Sequence, residues 1–110
     1  SLAASDVYKR QFKGLPLQVF LDWVGIPERA ITVNFYAIDD YTVSLPLNSI
    51  DDYEYYIVHA ADGRIFSDYL GERDRGPFAI VIDVDDLSIE ESRMIDYQMI
   101  WWLNLITFEQ

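Results

Sequence analysis

The sequence predicts an α+β domain, mostly β: a compact mixed or barrel-like sheet carrying one or two short helices. Three observations carry this expectation. Apolar and polar residues alternate from Ile31 to Ile38, and Phe78, Ile80, Ile82 and Val84 recur at every second position of a later run, the period of two that a strand with one buried face requires. Asp62-Gly63 and Asp39-Asp40-Tyr41 each lie between two strand-like runs, and such residues mark hairpin turns. Aromatic residues make up 15% of the chain and are mainly Tyr and Phe, which suit strands better than helices.

In chain order, the amino end is polar and loosely held as far as Lys13, with Phe12 its first anchor. Residues 1–11 thus stand apart from a single domain over 12–110. Pro16 fits the first turn of a helix, and Leu17, Phe20, Leu21 and Val24 fall at helical spacing. Gly25 stops that helix, with Pro27 beyond it. Trp23 is expected in the core. Ile31, Val33, Phe35 and Ala37 form the apolar face of the first alternating strand, with Thr32, Asn34 and Tyr36 opposite. Thr42 to Leu47 returns as a second strand, and Pro46 places it at an edge or an end. Asn48 or Ser49 could cap a single helical turn through Asp52.

Tyr53 to Ala61 forms a third strand, closed by Asp62-Gly63 into Arg64-Ile65-Phe66. Phe78, Ile80, Ile82 and Val84 share one face of the next. Ser88-x-x-Glu91 is a capping box ahead of a short helix through about Ile95. Tyr97 to Glu109 is apolar on both faces and reads equally as a continuing helix or a buried strand.

Charge narrows the range of functions. Lys and Arg number 8 against 19 Asp and Glu, a formal net charge of −11. Such a body repels phosphate backbones, so nucleic acid is not an expected partner. No apolar run reaches the roughly 20 residues that span a bilayer, so membrane insertion is not expected either. There is no cysteine, which excludes disulfides, thiolate metal sites and a Cys nucleophile. Asp83, Asp85 and Asp86 lack the Gly and the bidentate Glu of a calcium loop, and Asp39-Asp40 reads as turn chemistry. No catalytic and no metal-ligating residues are therefore expected.

An ordered set of motifs resembles a known family. It begins with Phe12-Lys13-Gly14-Leu15-Pro16-Leu17 entering a helix. Ala37-Ile38-Asp39-Asp40-Tyr41 leads into a strand ending at Pro46. The Asp62-Gly63 hairpin follows, then the loop Arg73-Asp74-Arg75-Gly76-Pro77, and a closing Trp101-Trp102-Leu103-Asn104-Leu105-Ile106. Over residues 12–108 this is similar to the small branch of the sulfite-oxidase-type molybdopterin-binding domain. The resemblance implies that family's mostly β fold, a closing strand from about Met99, and export to the periplasm. The chain departs from the catalytic members in three places. It lacks the cysteine that ligates molybdenum, it has Phe78-Ala79-Ile80-Val81 where an Arg grips the cofactor phosphate, and it has Trp101 where a Lys precedes the closing Trp. No cofactor is expected, with molybdopterin as the alternative.

If the resemblance holds, Tyr41, His59, Arg64, Arg73, Arg75, Trp101 and Trp102 line one cleft. Arginine forks beside aromatic walls suit a small planar anion. Arg73 and Arg75 could instead pair with Glu72 and Asp74. The expected function is a non-catalytic binding module on a molybdopterin-domain scaffold, taking a small planar anionic ligand or a protein partner. The alternative is a pterin-dependent oxidoreductase, or its subunit, with non-cysteine ligation.

Overall fold

Seven strands and two helices make up a computed structural model of the chain, which describes residues 11–66 and 76–110. The strands are β1 (Phe12–Pro16), β2 (Thr32–Ala37), β3 (Thr42–Pro46), β4 (Glu54–Ala61), β5 (Arg64–Ile65), β6 (Phe78–Asp83) and β7 (Ile100–Glu109). They build one sheet in the order β1-β4-β6-β7-β2-β3, and β5 adds to β4. All of its pairings among the described residues are antiparallel, so the sheet is not mixed. The α+β, mostly β class stands. The helices are α1 (Leu17–Val24) and α2 (Ile89–Ile95).

Residues 1–10 of the expected loose segment lie outside the described residues, but Phe12 and Lys13 are held in a strand. Phe12 to Pro16 pairs with β4 rather than leading loosely into the helix. Gly14 makes this possible, because a Cβ there would lie 2.6 Å from Val58 Cα and closer still to the Ile57 carbonyl oxygen. The helix then buries Leu17 and Leu21, and Gly25 closes it with its N–H on the Leu21 carbonyl at 3.0 Å. Trp23 is not core. It is 80% exposed on the outer face of α1, because an eight-residue helix on a sheet has room for only a narrow buried stripe.

The hairpin of β2 and β3 turns as its sequence predicts: Asp40 takes φ 73°, and Asp39 Oδ1 accepts the Tyr41 N–H at 3.2 Å. Asp62 and Gly63 both have positive φ, 53° and 80°, as a type I′ turn requires. Pro46 ends the edge strand β3. The single turn after it begins at Leu47 with no side-chain cap, so neither Asn48 nor Ser49 caps it; Ser49 donates its hydroxyl back to the Pro46 carbonyl instead. Ser88 does cap α2, accepting the Glu91 N–H at 3.0 Å.

Two strands depart from simple alternation. In β6, Ala79, Ile80, Val81 and Ile82 are all buried while Phe78 is 45% exposed; β6 lies between β4 and β7 and is covered on both faces. In β4, one residue, His59, is skipped in the register with β1 (Lys13 pairs Ala60, Gly14 pairs Val58). This bulge puts Val58 and Ala61 in the same apolar cluster, with Phe66, Ala79 and Val81. The larger cluster, on the α1 face, contains Leu17, Leu21, Phe35, Ile57, Ile80 and Leu103. Asn34 is buried on the nominally polar face of β2. Its side chain accepts from Ser44 on β3 at 2.6 Å and donates to Thr107 on β7 at 3.2 Å, so it is hydrogen-bonded on both sides, as a buried amide must be.

The last apolar stretch is a strand from Ile100. Its first residues pair with β6, up to Leu103, and its later ones with β2, from Leu103 to Glu109. At the changeover Trp102 has φ 56°, and its carbonyl accepts the Ile38 N–H at 2.9 Å.

Candidate functional site

The stagger of β7 leaves a cleft. Beyond Leu103, β6 no longer accompanies β7, and α1 lies across the gap. Phe20 on α1, Ile57 on β4 and Phe78 at the start of β6 meet there and line two adjoining cavities. One, of about 380 Å³, runs along Leu105, Ile106 and Phe108 of β7 beneath Val24 of α1. The other, of about 290 Å³, opens between β1 and β4, with Lys13, Leu15 and His59 in its wall. Ligand sites commonly enclose about 300–1,000 Å³.

The walls are apolar, and the few polar side chains are unevenly placed. Lys13 and His59 mark the β1 end, and Asn104 is the polar side chain of the β7 end. Among the described residues no Asp or Glu lines either cavity, although the chain carries 19 of them. Lys13 makes no ion pair with a described residue. Gly14 brings β1 close enough for Lys13 to reach the cleft, and the bulge turns His59 towards it. Trp23 stands at the rim, its ring centroid 6.3 Å from that of Phe20.

Of the singled-out residues that the structure describes, only His59 lines these cavities. Tyr41 sits on the β2–β3 turn and donates its hydroxyl to the Tyr97 carbonyl. Arg64 is exposed on β5. Trp101 packs against both apolar clusters. Trp102 is half-buried, and its indole Nε1 is buried with no hydrogen-bond partner. Arg73 and Arg75 lie outside the described residues. Sequence reasoning missed Lys13, Phe20, Ile57, Phe78 and Leu105. The available signal was the apolar character of both faces of residues 103–108, which leaves one face without an obvious cover.

Among the described residues of the lining a pterin phosphate would meet one lysine and one histidine, and a chain without cysteine offers no thiolate to molybdenum. Among the described residues no three His, Cys, Asp or Glu side chains are grouped to hold a metal ion. No helix there is long and apolar enough to cross a membrane. Compared with protein-family models and with curated proteins, the chain matches no family model and no curated sequence.

Proposed function

We propose that the chain is a binding module, on a scaffold of the molybdopterin-binding type, whose cleft takes a small anionic ligand with an apolar or planar body. The observation that carries this reading is the composition of the cleft. Among the described residues its lining is apolar apart from Lys13, His59 and Asn104, in a molecule of net charge −11. An anion meets attraction at the β1 end of the cleft and repulsion over most of the remaining surface. The lining also favours binding over catalysis, since among the described residues it includes no Ser, Thr, Tyr, Cys, Asp or Glu to act as nucleophile or carboxylate acid/base.

The test is a fluorescence titration with 8-anilinonaphthalene-1-sulfonate, a planar apolar anion, beside a cationic dye of similar size. Saturable binding of about one anion per chain is expected, with Phe78→Ser weakening it at least tenfold at unchanged thermal stability. Equal uptake of both dyes, or a titration indifferent to Phe78, rejects the proposal.

A further inference from the structure

The two cavities share three wall residues, Phe20, Ile57 and Phe78, and so lie end to end on either side of these residues, as two arms of one bent trough. The trough is polarised along its length. Its basic side chains, Lys13 and His59, stand at one end. From Phe78 onward its walls are Leu103, Leu105 and Phe108 on one side and Val24 on the other. The stretch along β7 from Leu103 to Phe108 alone extends about 17 Å at the rise of a strand. Such a volume is longer than it is wide. A compact ring system fills either hollow but not both, whereas a flexible hydrocarbon chain follows the bend.

We propose that this trough takes a single-chain amphiphilic carboxylate of the medium-chain fatty-acid class. The head lies at Lys13 and His59, and the tail passes Phe78 towards Phe108. The argument is one of complementarity at both ends. A carboxylate finds an ammonium group that no described side chain already pairs, at the rim where it stays partly hydrated. The tail finds aromatic and aliphatic walls that carry no carboxylate among the described residues, where each methylene gains by leaving water. Leu15, Val24, Phe78 and Leu105 are each close to half exposed around the trough, and a bound chain covers them. This inference rests on the reading of the cleft as an anion-binding site and narrows its ligand.

Calorimetric titration of the full chain with octanoate, decanoate and dodecanoate, below their micelle concentrations, tests it. Dodecyltrimethylammonium, with the same tail and opposite charge, is run alongside. Affinity should rise with chain length, at most about fourfold per methylene, the ratio equivalent to ~0.8 kcal/mol for a fully buried CH₂. The cation should bind at least tenfold more weakly than dodecanoate, and Lys13→Glu should abolish that preference. Leu105→Trp, which narrows the far end, should make the affinity level off at a shorter chain. Should the sulfonate probe saturate while the carboxylates show no dependence on length, the fatty-acid inference fails and the anion-binding reading stands. Should neither class bind, both fail. Equal binding of the cationic and anionic dodecyl chains overturns the inference as well, because recognition of the head group would then be absent.

Discussion

Gly14 and Gly63 are both glycines for a reason, but the reasons differ. At Gly14 the constraint is space: a methyl group would collide with the backbone of β4 at Ile57 and Val58. Gly14→Ala must therefore push β1 off β4, at a cost of about 3 kcal/mol, and denaturant midpoints should fall accordingly. At Gly63 nothing lies within 4 Å of a Cβ, and only the φ of 80° matters. Gly63→Val should lose about 2 kcal/mol through backbone strain alone; equal midpoints for wild type and variant would show that the turn tolerates a β-branched residue. Tyr55 sets an alkaline limit. Burial, with the charge of Asp52 next, pushes its phenol up to about 12 from an ordinary 10.0, and its hydroxyl donates to Gln98 Oε1. A phenol whose pKa is raised on folding holds its proton more tightly in the native state. Its contribution is complete below about pH 10 and is lost as the pH rises through about 12. Melting temperatures should fall across that window in the wild type and fall less steeply in Tyr55→Phe.

Among the elements, β7 has the most to do, because it serves β6 with its first residues and β2 with the rest. Its two tryptophans are unequal partners in this. Trp101 packs against both apolar clusters, whereas Trp102 occupies a left-handed backbone conformation with an unsatisfied indole nitrogen. Trp101→Ala should destabilise by about 3 kcal/mol. Trp102→Gly relieves the backbone where Trp101→Ala cannot, and should change stability by about 1 kcal/mol or less. Comparable losses for the two would show that the ring of Trp102, not its backbone, matters. The hairpins, the capped helix and most strands were legible in the sequence, because each rests on local chemistry: Asp39, Asp62-Gly63, Ser88 with Glu91. Trp23 was not, because helical spacing identifies a stripe but not how much of it a short helix can bury. Nor was the burial of Asn34, which depends on Ser44 and Thr107 arriving from other strands. The cleft was least legible of all. Lys13, Phe20, Ile57, Phe78 and Leu105 come from five separate elements, and only His59 among the residues chosen for chemistry joins them. No local period records that meeting.

At the scale of the molecule, the net charge of −11 opposes the compact state through self-repulsion. Salt screens it, with a Debye length falling from about 30 Å at 0.01 M to about 8 Å at 0.15 M. Thermal stability should therefore rise over that range, and a flat response would mean that the charges are already locally compensated.

The position of β7 within the sheet also governs how the domain can assemble. Val33 pairs with Phe108 and Asn34 with Thr107, contacts between stretches more than seventy residues apart, so the ladder that joins the two halves of the sheet forms only after a large loop has closed. Such non-local topology folds on the scale of milliseconds to seconds rather than microseconds. Until β7 docks, β2 and β6 each present a bare apolar edge able to pair with another chain. A chain shortened before Ile100 keeps those edges permanently, and precipitation during expression is its expected fate.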